Sequence, residues 1–423
     1  MHPPDADTVV ARYGDLGVKS STVRDRMETR LCGNLRGLLD DRGIAGEVEQ
    51  RWGRPLIRTT PDAVEAALGA ATDCFGVVSA SAGTTVEPTA PAIAEELARI
   101  APAVWTSRRD GSEDPESFAV RARRAGERDV HPFTSEDLEE RGGSAVWTAL
   151  EDAGRAPTVD LDDPDVVFEV DCRRDEAYVF MDRVEGPGGL PLGSQAPLVA
   201  LVSGGIDSPV AAWRAMRRGS PVVPLYLDLG AYGGADHRAR AEATVAALRR
   251  YAPGMPALRV APAGDAVKRL ADARGNDRMV QFRRFMLRVA ERVARDEGCA
   301  GLVTGEALGQ KSSQTAANLA AVDAAVDLPV HRPLLAMDKQ EIVDAAKRIG
   351  TYGDATIDAG CVRIAPDRPV TAADPDVIAD NEPDWLAAAA SEVADGTEAA
   401  EPARDGVDGG DTASGSDEGA AAR

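Results

Sequence analysis

A single segment, Leu198–Pro209, constrains the fold of this 423-residue chain more than any other. Its apolar half, Leu198–Val202, is typical of a buried strand, and Ser203-Gly-Gly-Ile-Asp-Ser208 follows without a break. Glycines let a backbone approach an anion closely and take positive φ. The serine hydroxyls and the unpaired amides of a helix that starts here would point at that anion. The segment predicts a strand–turn–helix unit that binds an anion, with a glycine-rich turn of no function as the alternative.

Asp207 and Pro209 refine this prediction. An aspartate does not belong in a site that holds only phosphate, unless Mg²⁺ lies between the two. Pro209 is harmless in the first helical turn, because its missing amide would be unpaired there. The segment lacks Gly-Lys-Ser/Thr after its second glycine, so it is not a Walker A motif.

Residues 196–393 alternate short buried strands with helices, which predicts an α/β domain with a doubly wound parallel sheet. The predicted strands are Leu198–Val202, Val222–Leu227, Ala257–Val260 and Gly301–Val303. The predicted helices are Pro209–Arg218, Ala235–Tyr251, Gln281–Glu297 and Lys339–Ile349. Ligands of such sheets bind outside the carboxyl ends of the strands.

Two α+β domains are predicted to precede this sheet. Residues 1–84 have a βαββαβ order typical of a ferredoxin-like domain, with the elements Val9–Tyr13, Thr22–Leu39, Glu47–Ile57 (a strand or hairpin), Pro61–Leu68 and Phe75–Ser81. Residues 85–185 form a second module with helices and strands at Ala92–Ile100, Ser117–Arg124, Ser135–Ala153, Val166–Cys172 and Glu176–Asp182. The Gly- and Pro-rich segment Glu185–Ser194 marks a boundary, and residues 394–423 are predicted to be a disordered acidic tail.

The formal charge of −22 argues against a nucleic-acid partner at first sight. Acidic residues outnumber basic ones throughout, and only five of the 48 basic residues are lysines, which resembles the composition of proteins from salt-adapted organisms. In concentrated salt the release of counterions contributes little to nucleic-acid binding, so shape and hydrogen bonds must carry it. Net charge therefore does not decide the partner.

The composition also bears on location. The chain has no apolar run of about eighteen residues and no basic segment followed by an apolar one at its start, so neither a transmembrane helix nor a signal peptide is predicted. Its five cysteines are scattered without CxxC spacing, which indicates a reducing cytoplasm. The four histidines have no ligand-like spacing, and no residue is assigned to a metal.

Ser203–Pro209 resembles the PP-loop of the ATP pyrophosphatases, which cleave ATP between the α- and β-phosphates to adenylate a carbonyl oxygen. Up to about residue 370 the chain resembles the tRNA 4-thiouridine synthetase family, in its rhodanese-lacking, halophilic archaeal form. Besides the PP-loop, the segments that carry the resemblance follow the family's order: Arg12–Lys19, Phe118–Arg124 with Val159–Asp165, Gly188–Gly193, Thr304–Thr315, Arg332–Leu334 and Asp338–Lys339.

The resemblance implies ferredoxin-like, THUMP and PP-loop domains and an ATP-dependent reaction on tRNA. In this family O4 of the uridine at tRNA position 8 is adenylated and then replaced with persulfide-derived sulfur, giving 4-thiouridine, AMP and pyrophosphate. The implied cofactors are ATP and Mg²⁺. The implied partners are tRNA and a sulfur donor such as a cysteine desulfurase or sulfide, and a homodimer is left open.

Residues are assigned in two steps. The anion site itself comprises Ser203, Gly204, Gly205 and Ser208. The resemblance adds catalytic roles for Asp207, Lys339 and Cys361, and nucleotide contacts for Leu201, Val202, Tyr226, Leu227, Arg283, Gly305 and Gln314. A helix N-terminus is a poor electrostatic environment for Lys339, which favours a role as phosphate ligand over an exposed lysine of no function. A plain core role is the alternative for Tyr226 and Leu227.

Cys361 follows the last predicted helix of the domain and resembles the family's active-site cysteine in position. Relatives with a rhodanese domain use this cysteine to resolve a persulfide, and no such domain is predicted here. Some archaeal relatives carry a CxxC associated with an iron–sulfur cluster. Met279 and Phe282 stand at those positions, so no cluster ligated by this chain alone is predicted. An inert thiol is the alternative for Cys361.

Arg121, Arg123 and Arg124 belong to the densest basic cluster of the second domain, together with Arg128. On a strand, residues 121 and 123 share a face while 124 points the other way. The THUMP resemblance implies that these arginines contact the backbone of the tRNA acceptor stem, which is recognised mainly by shape. An ordinary solvated surface is the alternative.

Two other functions stay open at this point. One is a PP-loop synthetase that acts on a small molecule, and the two RNA-type domains argue against it. The other is a sulfur-relay protein for thiamine thiazole synthesis, and the lack of a rhodanese domain argues against it.

Overall fold

The computed structural model describes residues 1–14, 17, 20–51, 53–106, 115–125, 130–233, 235–273, 275–353 and 364–400. Cys361 and Arg128 lie outside these ranges. Among the described residues, no helix combines the length and the apolar character that crossing a membrane requires.

The first part of the chain forms the expected βαββαβ unit. Its elements are β1 (Thr8–Tyr13), α1 (Ser21–Asp41), β2 (Glu47–Arg51), β3 (Arg54–Arg58), α2 (Val64–Asp73) and β4 (Val77–Val86). The strand order is β2-β3-β1-β4 with antiparallel pairing, which confirms the ferredoxin-like fold. Helix α2 differs from the predicted Pro61–Leu68, because Ala70 and Ala71 continue its buried face beyond Gly69.

The second part supplies α3 (Ala90–Thr106), β5 (Ser117–Arg124), α4 (Ser135–Asp152), β6 (Thr158–Val159), β7 (Val166–Cys172), β8 (Ala177–Phe180) and β9 (Val184–Glu185). Helix α4 begins where predicted, since the Thr134 hydroxyl accepts a hydrogen bond from the Asp137 amide at 3.1 Å. Both long helices of this part pack on the same apolar core as β5 and β7.

The strands of these two parts form one sheet rather than two separate ones. Strand β4 pairs with β8, so the order of the main path is β2-β3-β1-β4-β8-β7-β5-β6, with β9 beside β4. The junction needs a glycine, because a Cβ at Gly83 would lie 2.5 Å from the Val179 carbonyl oxygen. The sequence predicted both modules, and their strand pairing became visible only in the structure.

The third part is built on six strands in the order β14-β13-β10-β11-β12-β15. They are β10 (Leu198–Leu201), β11 (Val222–Asp228), β12 (Arg259–Pro262), β13 (Leu302–Val303), β14 (Val330–His331) and β15 (Glu398–Ala399). The first five are parallel, which confirms the doubly wound α/β prediction. The helices are α5 (Asp207–Arg217), α6 (Ala235–Arg249), α7 (Gly264–Asp272), α8 (Arg278–Asp296), α9 (Ala316–Asp323), α10 (Lys339–Arg348), α11 (Pro375–Asp380) and α12 (Leu386–Asp395).

The ordered chain continues past the predicted start of the acidic tail at residue 394. Ala394 is buried at the end of α12, and Glu398–Ala399 pairs antiparallel with β12. The prediction was wrong for residues 394–400, because an apolar helix face and an open sheet edge outweigh the acidic composition there. Residues 401–423 lie outside the described part.

The ferredoxin-like unit packs directly on helix α5. The Phe75 ring is 5.6 Å from the rings of both Trp213 and Tyr251 and lies within the core of the third part. Nearby, Asp73 accepts hydrogen bonds from Arg42 and Arg250, each at 2.8 Å. The Trp213 contact joins the ferredoxin-like unit to the middle of α5, and the contacts of Arg250 and Tyr251 join it to the residues after α6.

Replacement of Phe75 by alanine should lower the free energy of unfolding by about 3–5 kcal/mol, because a buried aromatic ring leaves a cavity when removed. A fall in the midpoint of thermal unfolding would report this loss. Val78→Ala is the matched control, since Val78 lies on the neighbouring strand and is exposed. Equal midpoints for the two variants would contradict the packing role of Phe75.

Candidate functional site

An open cavity lies at the carboxyl edge of the parallel sheet, between the loops after β10, β11 and β13 and one face of α8. Asp207 lines it, together with every residue predicted to contact the nucleotide: Leu201, Val202, Ser203, Gly204, Gly205, Ser208, Tyr226, Leu227, Arg283, Gly305 and Gln314. Residues from four distant stretches of sequence are thus brought together. Their individual roles remain predictions.

The turn between β10 and α5 is held by its own serines. The Ser203 amide donates to the Ser208 hydroxyl at 2.9 Å, and the Gly205 amide donates to the Ser203 hydroxyl at 3.3 Å. Ile206, the residue before α5, makes no side-chain cap. The first turn of the helix, beginning at Asp207, is therefore suited to receive an anion.

The two glycines of this turn do not adopt positive φ, so that part of the prediction was wrong. Close packing favours glycine at position 204 instead, because a Cβ there would lie 3.0 Å from the Arg240 side chain. Gly305, in the loop after β13, is more restricted. Its Cβ would lie 2.8 Å from the backbone of both Asp207 and Ser208, so this loop touches the start of α5.

Lys339 and Asp207 meet at the edge of the cavity. The Lys339 ammonium lies 2.8 Å from Asp207 Oδ1, and the Gln310 amide donates to Asp207 Oδ2 at 3.3 Å. Lys339 is the first residue of α10, as predicted, and this ion pair accounts for a lysine at an unfavourable helix position. The sequence did not single out Gln310 as a partner of Asp207.

The opposite wall of the cavity is apolar. Met279, Phe282 and Met286 line it from α8, and Met279 and Phe282 are 8% and 3% exposed. Tyr226 also lines the cavity, and its burial raises its pKa to about 12. Such a wall is suited to the flat face of a nucleobase.

A buried charge network underlies the same cavity. Glu306, beside Gly305, accepts hydrogen bonds from Arg283, from the Thr304 hydroxyl at 2.9 Å and from Arg332 at 2.7 Å. Arg332 in turn donates to Asp323 at 2.9 and 2.5 Å. Glu306 and Arg332 lie in two of the segments that carry the family resemblance, but the sequence predicted no role for them, because their pairing depends on adjacent strands.

Arg121 and Arg123 are exposed on one face of β5, while Arg124 is half-buried and points the other way, as predicted. Cross-strand register extends this face to the ferredoxin-like half of the sheet. Arg121 pairs with Glu169, which pairs with Phe180, and the row continues through Gly83 and Thr8 to Arg58.

The structure brings further arginines together on this sheet, and the sequence did not predict that they would be neighbours. Arg12 lies 4.7 Å from the centre of the Phe180 ring, and burial together with repulsion from Arg54 and Arg183 lowers its pKa to about 9. Arg54 lies 2.9 Å from Asp171 and is repelled in turn by Arg123. The arrangement concentrates positive charge in an acidic chain.

The four described cysteines are buried: Cys32, Cys74, Cys172 and Cys299. Burial raises the pKa of Cys32, Cys172 and Cys299 to about 11, which makes them poor nucleophiles. The predicted sulfur-handling residue, Cys361, falls outside the described residues. Within the described ranges, no group of three or more His, Cys, Asp or Glu side chains could hold a metal ion.

Three family models match the chain. Residues 193–385 match the model described as Thiamine biosynthesis protein (ThiI). Residues 89–182 match the THUMP domain, and residues 8–81 match the ThiI ferredoxin-like domain. The three matches follow the order of the predicted domains.

Curated relatives and a solved structure resemble nearly the whole chain. A probable tRNA sulfurtransferase of Halobacterium salinarum is 56% identical over 387 residues, covering 91% of this chain and 95% of the relative. One of Methanosarcina acetivorans is 40% identical and covers 88% of each chain. The crystal structure of a 4-thiouridine synthetase–RNA complex with bound ATP superposes with a TM-score of 0.78 at 27% identity, covering 93% of this chain and 98% of that one. The chain therefore belongs to the tRNA sulfurtransferase family.

Proposed function

We propose that this chain is an ATP-dependent tRNA sulfurtransferase that converts the uridine at position 8 to 4-thiouridine, with release of AMP and pyrophosphate. The observation that carries the proposal is the Lys339–Asp207 pair at the start of α5, beside a cavity that has an anion-binding turn and an apolar wall. The similarity of the whole chain to the ATP-bound 4-thiouridine synthetase–RNA complex supports the same assignment.

ATP would bind with its base on the apolar wall and its phosphates at the turn. Met279 and Phe282 offer apolar surface to the adenine, and Gly204 and Gly205 allow the phosphates to come close. Gln314 is 6% exposed and, within the described chain, its Oε1 has no hydrogen-bond partner. This oxygen is able to accept a hydrogen bond from the adenine amino group.

In the first chemical step, O4 of the uridine attacks the α-phosphate, the bond to the β-phosphate breaks and pyrophosphate leaves. The base loses its N3 proton to water and becomes an O4-adenylated intermediate. Lys339 would stabilise the negative charge that develops on the α-phosphate. The step converts a poor leaving oxygen into AMP.

Asp207 is the residue that would hold Mg²⁺, together with phosphate oxygens of the nucleotide. One carboxylate at the cavity fits this ion, which is commonly bound by one or two carboxylates plus substrate phosphates. The ion would supply shielding of the phosphate charge.

In the second step, the outer sulfur of a donor persulfide attacks C4 and AMP leaves. We assign Cys361 to this step, in which it either accepts the persulfide or cleaves the sulfur–sulfur bond and forms a disulfide with the donor cysteine. A thiol reductant would then reduce this disulfide and restore the free thiol of Cys361. The donor is a persulfide-bearing cysteine desulfurase; sulfide, the alternative donor, would attack C4 directly and displace AMP without a persulfide.

The tRNA would lie on the arginine-bearing face of the N-terminal sheet. Arg121 and Arg123 are exposed there, and Arg124 lies at the end of the same strand. Contacts between arginines and the RNA backbone are sufficient to bind A-form RNA, because proteins recognise it mainly by shape. The target uridine would be presented out of its stack, because its O4 must reach the α-phosphate.

Asp207→Asn and Lys339→Met should each reduce tRNA-dependent pyrophosphate release by about 100-fold, because each removes a charge at the reacting phosphate. Lys347→Met is the matched control, since this lysine lies on the same helix but contacts Tyr352. Full activity of the Asp207 variant would contradict the adenylation mechanism. Pyrophosphate release without tRNA would favour a small-molecule synthetase.

Cys361→Ser should retain tRNA-dependent pyrophosphate release but form no 4-thiouridine, because only sulfur transfer needs the thiol. Mass spectrometry of the nucleosides from digested tRNA measures the product. Cys299→Ala, a change at a buried thiol, should leave both activities intact. Normal 4-thiouridine levels in Cys361→Ser would remove the sulfur-handling role and leave adenylation standing.

The double variant Arg121→Ser/Arg123→Ser should weaken tRNA binding with little effect on the Kd of ATP. The slope of log K against log salt concentration should fall by about 1 for each lost phosphate contact. Arg292→Ser serves as control, because this arginine is exposed on α8 and makes only long ion pairs, with Asp296 at 3.4 Å and with Asp395 at 3.5 Å. An unchanged salt slope in the double variant would contradict the assigned RNA surface.

A further inference from the structure

Glu306 occupies an unusual position for a carboxylate. It lines the cavity in which ATP is proposed to bind, although the phosphates of ATP would repel it. It is only 7% exposed. A buried negative charge beside an anion site requires compensation from opposite charges.

Two arginines provide that compensation from different elements. Arg283 reaches Glu306 Oε1 from α8, and Arg332 reaches Oε2 from the end of β14 at 2.7 Å. The Thr304 hydroxyl also donates to Oε2, at 2.9 Å. Glu306 therefore joins two segments of the cavity wall, α8 and the loop after β13, to the end of β14 outside the cavity.

The two arginines differ in their relation to the cavity. Arg283 lines it, whereas Arg332 turns away and forms a two-pronged contact with Asp323. Among the described residues, the contacts of Glu306 and Arg332 join two arginines and two carboxylates, whose formal charges balance. Arg332 and Asp323 balance each other, so Glu306 is balanced by Arg283, the cation on the cavity side.

Glu306 also lies close to the expected phosphate position. The preceding residue, Gly305, touches the backbone of Asp207 and Ser208 at the start of α5. Arg283 comes from α8, the helix of the apolar wall, and its contact with Glu306 brings its guanidinium toward the end of the cavity that receives the anion.

We infer that Glu306 is a positioning residue that holds the Arg283 guanidinium toward the phosphates of the bound nucleotide. A long arginine side chain has many rotamers, and restricting them before the ligand arrives reduces the entropy lost on binding. The inference rests on the proposed function, because it takes ATP to be the occupant of the cavity. It gives a role to a residue that does not itself contact the reacting atoms.

The test is a double-mutant cycle on ligand affinity. Glu306→Gln keeps the size of the side chain but removes its charge. It should raise the Kd of ATP about tenfold and the Kd of adenosine less than about twofold, because only ATP carries the phosphates that Arg283 would meet. In an Arg283→Met background, the same change should alter the Kd of ATP less than about twofold.

Three results would overturn the inference. Equal weakening of ATP and adenosine would indicate a general structural role, and equal effects with and without Arg283 would show that Glu306 does not act through it. Tighter ATP binding by Glu306→Gln would show that the carboxylate only repels the nucleotide. A wild-type protein that bound no ATP would contradict the proposed function itself. The three results above contradict only the role of Glu306, so the two failures can be told apart.

Two further variants keep the test decisive. Asp323→Asn loosens Arg332 at the outer end of the network, and it should lower thermal stability without changing the ratio of the two Kd values. If Glu306→Gln did not fold, Thr304→Val would remove one donor to the same carboxylate. It should raise the Kd of ATP about threefold only when Arg283 is present, and no change with Arg283 present would overturn the inference.

Discussion

The site depends on a backbone contact between two loops at the carboxyl edge of the parallel sheet. The loop after β13 touches the start of α5 at Gly305, where any side chain would collide with Asp207 and Ser208. This contact is possible because β13 and β10 are neighbours in the sheet. It brings Gln310 to the Asp207 carboxylate and sets the position of the charge network around Glu306. The turn after β10 is therefore one part of a larger site, a cradle formed by the loops after β10 and β13.

Helix α5 links this cradle to the rest of the molecule. The helix begins at Asp207, and its middle packs on Phe75 of the ferredoxin-like unit. In its last turn, the Arg217 carbonyl accepts a hydrogen bond from the Leu190 amide. The N-terminal sheet and the nucleotide cavity are thus attached to the same short helix. A close-packed interior transmits displacements of such an element, because neighbouring side chains have no room to absorb them.

The distribution of charge matters more here than its sum. The chain carries a net charge of −22, yet arginines gather on one sheet closely enough that Arg54 and Arg183 contribute to lowering the pKa of Arg12. Asp171 offsets part of this repulsion from within the sheet. A polyanionic backbone would offset more of it, which agrees with RNA as the proposed partner. An acidic exterior elsewhere is compatible with that role.

Local sequence determined a great deal about this protein. The run from Leu198 to Ser208 predicted a strand, an anion-binding turn and a helix, because apolar runs, glycines and serines act over a few residues. The same holds for the βαββαβ order of the first domain. Only the tertiary structure decided that β4 and β8 join two domains in one sheet, that Lys339 pairs with Asp207 across 132 positions, and that Glu306 lies between two arginines. These contacts arise from strand order and long-range packing, which no short stretch of residues encodes by itself.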